Sequence, residues 1–434
     1  MPCSALLNLL MSDLRLKRLH LLKAAIIIAR LLVGFTFIIS GWSKAIDPWG
    51  FVFKIDDYLN VWGWEVAREI SLTGAIALSC IEFLTGVLIA TGCLRRLSVW
   101  FGALMMAFML PLTVYIYVAD PVSDCGCFGD FIVLSNAATL IKNIALSALL
   151  VFLIMYGAKI KGIFSPYIQW LVIVVSLVYP FTLAFIGYRS QPLIDFRPYP
   201  VGTDFNALID ADTTDEQAMF IYTKEGREET FALDELPDST WTFVRSVEPD
   251  DMSADMSWPA VYDGEEDISA DIFTVDGEHM FLVVTDPGFH YLTRARLANE
   301  IAGLMQKRGG DMDGLIAADG ENLERWSELA LPAFDVYSSE DTSLKELVRG
   351  DAALVFLRDG VVEWKRSLAA IEPDALTECD STDEMIENLR PSDGERMHLE
   401  ITLIYVLSMI MIYLLNFPPK ILKSILNRKV SKKS

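Results

Sequence analysis

The stretch LKAAIIIARLLVGFTFIISGWS, running from Leu22 to Ser43, decides the class of this chain. Its only charges are Lys23 and Arg30. A helix of roughly 22 residues rises about 33 Å, enough to cross a hydrocarbon core of about 30 Å. Runs of the same kind occupy 70–92, 97–118, 136–156, 167–188 and 401–417. Six crossings predict a polytopic α-helical membrane protein in contact with the lipid bilayer.

Composition supports a two-phase chain. The whole is 53% hydrophobic and carries a formal charge of −22, from 58 acidic and 36 basic side chains. Residues 190–399 hold 47 Asp and Glu against 16 Lys and Arg, so the rest of the chain is net basic. High hydropathy and high acidity rarely share one soluble domain. Here they belong to different segments. The acidic segment offers no basic, aromatic-interleaved surface, which excludes a nucleic-acid partner.

Loop charges give the expected orientation. Arg15, Lys17, Arg18 and Lys23 flank the first run, Arg95 and Arg96 the second turn, Lys159 and Lys161 the fourth, and residues 418–434 form a basic tail. The opposite loops are poorer in Lys and Arg, and 121–130 has none. By the positive-inside rule both termini are cytoplasmic and the acidic segment is periplasmic, in a bacterial inner membrane. The first run is too long for a cleaved signal peptide and reads as a retained anchor.

Two parts are expected in the acidic segment. Residues 195–250 hold strand-like runs at Met219–Tyr222, Thr230–Leu233 and Trp241–Val244, a small β-rich subdomain. Residues 256–396 follow the order β-α-β-α-β-β-β, with a last helix near Thr382–Leu389 and a hairpin turning at Asp359-Gly360. That order suggests a thioredoxin-like α/β domain. Its redox motif is missing: the place after the first core strand reads Thr285-Asp286-Pro287-Gly288-Phe289-His290. With no cysteine between Cys127 and Cys379, the domain is expected to be redox-dead and to dock a client protein. His290 reads as a surface histidine rather than a catalytic one.

The chemistry is expected in Asp124-Cys125-Gly126-Cys127-Phe128-Gly129-Asp130. Two cysteines around one glycine close a disulfide only with strain, and strained disulfides are readily reduced. An exposed, labile pair on the oxidising side suits thiol–disulfide exchange. A structural turn and metal capture are the competing readings, and the second is poorly served by two ligands. No resident metal is expected. Supporting charges are Lys142, which enters the fourth run just after the loop, and Lys44 and Asp47, which frame the outer end of the first; they either hold helices in register, the slightly favoured reading, or let Lys142 or Lys44 lower a thiol pKa. Arg30 and Glu82 fall at broadly similar depth and are expected to pair inside the bundle. Met105, Met106 and Met109 read as span packing, and Gly86-x-x-x-Ala90 as a close helix approach.

These residues resemble the DoxX/MauE group of membrane proteins over 22–156, about a third of the chain. The resemblance rests on Ser40-Gly41-Trp42-Ser43-Lys44-Ala45-Ile46-Asp47-Pro48, on Glu82-Phe83 with Gly86 and Gly92, and on the Cys125–Asp130 loop with Lys142-Asn143. The fifth run, the acidic segment and the sixth run resemble the Bacteroidetes-type members. The resemblance implies a four-helix membrane core that assists disulfide formation during protein maturation, with quinone as an electron acceptor. A non-enzymatic scaffold and a quinone-linked oxidoreductase on a small sulfur substrate are its alternatives.

Overall fold

The computed structural model describes residues 3–64, 66–120, 122, 125–208, 219–224, 227–231, 241–247, 258–288, 292–372 and 381–416. His290 and Cys379 lie outside them. The chain divides into two compact units, one helical and the other the inserted acidic segment.

The helical unit opens with α1 (Cys3–Ile46). Asp47-Pro48 ends it and starts α2 (Pro48–Val61): the Asp47 carboxylate accepts from the Gly50 N–H at 2.8 Å, and Pro48 sits in the first turn, where its missing N–H is harmless. After α2 come α3 (Arg68–Thr91), α4 (Leu97–Ala119), α5 (Asn136–Tyr156) and α6 (Gln169–Arg189), and the unit closes with a C-terminal helix, Gly394–Leu415. Among the described residues, six helices are long and apolar enough to cross a membrane: Arg15–Ile46, Arg68–Thr91, Leu97–Ala119, Asn136–Lys159, Gln169–Arg189 and Gly394–Leu415.

Helices α1 and α3 pack closest, because glycines remove the side chains between them. A β-carbon on Gly41 would lie 2.4 Å from the Phe83 nitrogen, and one on Gly34 2.6 Å from the Ala90 β-carbon. Gly86 meets the Gly34 carbonyl in the same way. That contact fixes the register of the two helices. The C-terminal helix is tied to α6 by polar and aromatic contacts. Tyr179 stacks on Tyr405 at 4.4 Å, its hydroxyl lies 2.9 Å from Thr402, and Ser176 meets the Tyr405 hydroxyl at 3.2 Å.

The second unit is α/β. A three-stranded antiparallel sheet, order β2-β1-β3, is formed by β1 (Met219–Lys224), β2 (Arg227–Phe231) and β3 (Thr242–Val247). The main sheet is built from β4 (Val261–Asp263), β5 (Glu266–Asp267), α7 (Ser269–Phe273), β6 (Glu278–Val284), α8 (Leu292–Arg308), β7 (Asp311–Ile316), α9 (Gly320–Ala330), β8 (Asp335–Ser339), α10 (Asp341–Leu347), β9 (Ala352–Arg358), β10 (Val361–Ser367) and α11 (Thr382–Leu389). Its strand order is β10-β9-β6-β7-β8-β4-β5, with β6, β7 and β8 parallel. Strand β6 is buried from His279 onward because helices cover both of its faces. Met280, Leu282 and Val284 face α8, α9 and α11, whereas Phe281 and Val283 face α7 and α10.

The expected β-α-β-α-β-β-β order omitted the short β4, β5 and α7 before the first core strand, and α10 after β8. That short helix is needed because β9 pairs with β6 and not with β8, so the chain must cross the sheet between them. Asp359 and Gly360 do form the β9–β10 turn, at φ of 51° and 76°, the positive values a two-residue turn requires.

A buried charge cluster holds the segment before β1 to this sheet. Lys365 on β10 donates to the Leu347 carbonyl at 2.8 Å and to the Tyr199 carbonyl, and lies 3.3 Å from Asp195, which Arg197 grips with two hydrogen bonds. Burial first, then the positive charges of Arg197 and Arg349, pushes Lys365 down to about 7 against the pull of Asp195. Unfolded, a lysine titrates near about 10.4. Between about pH 7 and pH 10 the unfolded chain thus keeps a proton that the folded unit has released, so this site adds stability as pH rises through that window and none below it. Lys365→Met is expected to flatten the rise. Thermal unfolding of the full chain in detergent at pH 7, 8 and 9 checks it, and an unchanged slope contradicts it.

Candidate functional site

The loop between α4 and α5 folds back into the mouth of the bundle. Its two ends are clasped by Asn136, whose amide donates to Asp120 at 2.8 Å and to the Val122 carbonyl at 3.3 Å. Gly126 and Gly129 take positive φ, 64° and 55°, and the Gly129 N–H closes a turn on the Gly126 carbonyl. Phe128 is buried beneath the ammonium of Lys142, 4.2 Å from its ring centre. Phe131 meets Trp42 edge-on at 5.3 Å.

This geometry sets the thiols 3.1 Å apart, both unbonded. Cys125 is 8% exposed and Cys127 partly buried, so the pair is not the exposed one expected. The reason is the anchor below it. The Ser40 hydroxyl lies 2.7 Å from the Cys127 carbonyl and 2.8 Å from Glu82, its single proton serving one of them at a time. Ser40 sits six residues before the end of α1 at Ile46, which draws the loop about 9 Å inward.

Glu82 is paired, but not with Arg30. Lys44 donates to both of its carboxylate oxygens, at 3.0 and 2.8 Å, and both side chains are almost wholly buried. The glycine contacts bring Ser40 and Lys44 level with Glu82 and bring Arg30 level with Gly92, ten residues further along α3, or about 15 Å away. Arg30 instead donates to the Gly157 and Ile160 carbonyls at 2.6 and 3.0 Å, closing the turn between α5 and α6. Asp47 acts as the cap of α2 described above. Of the expected site residues, Cys125, Cys127, Lys142, Lys44 and Glu82 gather at one place, and Arg30 and Asp47 stand elsewhere.

Electrostatics separate the two thiols. The hydrogen bond from Cys125, followed by the positive charges of Lys142 and Lys44, pulls Cys127 below the usual thiol range, against burial and Glu82. Sharing that proton, together with burial, pushes Cys125 up. Cys127 is therefore the readier thiolate.

Two further contributions come from α2, which sequence reasoning passed over. Tyr58 donates to the Cys125 carbonyl at 3.1 Å, and the Lys54 side chain lies over Gly126. The signal was present, since Asp-Pro before an apolar run is a helix start. Beneath Cys127 lies a cavity of about 40 Å³ whose wall includes Lys44, Glu82, Lys142, Met105, Met106 and Met109.

Residues 22–156 match the family model described as methylamine utilisation protein MauE, and residues 217–249 match a domain of unknown function (DUF8463). No curated protein matches the chain. The first match covers the segment where the resemblance was expected, so this membrane domain is MauE-like.

Gly126 tests the packing of the loop. A β-carbon there would lie 3.1 Å from Lys54 Cγ on a backbone at φ 64°. Gly126→Ala is expected to cost about 1–2 kcal/mol, from the left-handed strain, and to speed alkylation of Cys127 several-fold in the purified full chain. Unchanged melting and unchanged alkylation contradict a loop held in this conformation.

Proposed function

We propose that this MauE-like membrane protein is a thiol–disulfide exchange factor for protein maturation, with Cys125 and Cys127 as its redox pair. The observation that carries the reading is the pair itself: two free thiols 3.1 Å apart, unequal in acidity, beside Lys142 and Lys44. In the reducing direction the Cys127 thiolate attacks a client disulfide. A Cys127–client bond forms as the client bond breaks, and its electron pair stays on the departing client sulfur. Cys125, giving up its proton, then attacks Cys127, closes the pair and releases the second client thiolate. Run in reverse, the oxidised pair takes two electrons from a client dithiol and leaves a client disulfide. A second disulfide, of a protein or a small thiol, regenerates the oxidised pair.

Loop charges support placing both termini in the cytoplasm and the pair with the acidic unit on the periplasmic side of a bacterial inner membrane. The β6-α8-β7 unit beside the β9–β10 hairpin supports a thioredoxin-like reading of the acidic unit. Thr285 to Gly288 stand where such a domain would carry its cysteines, which supports client docking over redox work. That lack also favours a second reading, a scaffold whose acidic unit binds a partner without chemistry.

The test separates the two. Under acid quench and alkylation, Cys125→Ser is expected to accumulate a reductant-sensitive adduct at Cys127, because the resolving thiol is gone, and Cys127→Ser to show none. Absence of adduct in Cys125→Ser, with client oxidation normal in both variants, contradicts exchange and leaves the scaffold.

A further inference from the structure

The cavity under Cys127 is walled by more sulfur than exchange uses. Met105 and Met109 stand four residues apart on one face of α4, Met106 is buried beside them, and all three line the same space as Cys127. Sequence reasoning made these methionines packing residues. They do pack, on the cluster formed by α1, α4 and α5. They also share the cavity wall with Cys127, and Cys125 Sγ lies 3.1 Å beyond that thiol.

Size narrows what could enter. About 40 Å³ is more than the roughly 10–15 Å³ that holds one water and well under the about 150 Å³ of a cavity that takes up benzene. A single ion fits that space. Ligand chemistry narrows it again. Among the described residues no three His, Cys, Asp or Glu side chains group as a metal site, whereas thiolate with thioether is a soft donor set that selects Cu(I) among biological ions. Zinc asks for four ligands, commonly nitrogen or oxygen beside sulfur.

We propose that this cavity is a Cu(I) site, with Cys125 and Cys127 binding as thiolates and thioether sulfur from Met105, Met106 or Met109 completing the shell. Binding replaces two S–H bonds by two Cu–S bonds: two thiols and one Cu(I) give a bis-thiolate complex of charge −1 and two protons. No oxidant is needed. The negative complex suits its surroundings, since the ammonium groups of Lys44 and Lys142 act on both sulfurs. The site shares its thiols with the exchange reading but does not rest on it. The methionines have no part in exchange, so they distinguish the two.

The experiment titrates the reduced, purified full chain with Cu(I) under anaerobic conditions, against the chromogenic chelator bathocuproine disulfonate. The expected result is one Cu(I) per chain with a sulfur-only shell in X-ray absorption. Cys127→Ser loses it, Cys80→Ser and Cys93→Ser retain it, and Met105→Leu with Met109→Leu weakens binding tenfold or more. Leucine nearly conserves the volume of methionine, so the double variant keeps its packing. Its exchange behaviour, read by adding Cys125→Ser and following the adduct at Cys127, should match that of Cys125→Ser alone. Copper retained by Cys127→Ser, or affinity unchanged in the double methionine variant, overturns the site. Failure of the adduct assay alone overturns exchange and leaves the copper site standing.

Discussion

The buried pair of Lys44 and Glu82 is the constraint on which the membrane domain depends. Their side chains are 2% and 6% exposed, and the closest approach is 2.8 Å. Either charge left alone in an apolar bundle would be costly, and removing one partner of such a pair typically costs about 3–5 kcal/mol. The pair therefore admits one register between α1 and α3, the register that the glycines at 34, 41 and 86 make sterically feasible. Ser40 joins this pair to the Cys127 carbonyl, so the same contact that aligns two helices also sets the depth of the cysteine loop. Glu82 has a second effect. Its charge opposes the thiolate at Cys127, and Lys44 and Lys142 more than offset it.

Much of the architecture is legible in the sequence because it rests on signals that are local. The membrane runs declare themselves by length and apolarity. Asp359-Gly360 announces a hairpin, and Cys125-Gly126-Cys127 marks a candidate site. What could not be read depends on register and on short elements. Arg30 and Glu82 lie at similar depth only when each is counted from the end of its own helix; the glycine contact shifts α3 so that Lys44 meets Glu82 instead. The burial of the cysteine loop was hidden for a related reason. Its anchor, Ser40, is 87 residues away in the chain and carries no motif that points to a loop. Helix α10, seven residues long, has too few turns to show a period.

Helix α2 gives the site its second wall. Tyr58 and Lys54 cover the loop from one side while Ser40 holds it from the other. The two walls leave Cys125 buried and Cys127 partly buried.

The most direct test of the account is the depth of the cysteine loop with and without its anchor. In a chain with Cys80 and Cys93 replaced by serine, the alkylation rate of Cys127 by a membrane-impermeant maleimide is measured for native Glu82 and for Glu82→Gln. Loss of the charge that holds Lys44 and Ser40 is predicted to free the loop and raise the rate at least several-fold. An equal rate in the two proteins, with both folded, would mean that the ion pair aligns helices but does not hold the cysteine pair inside the bundle.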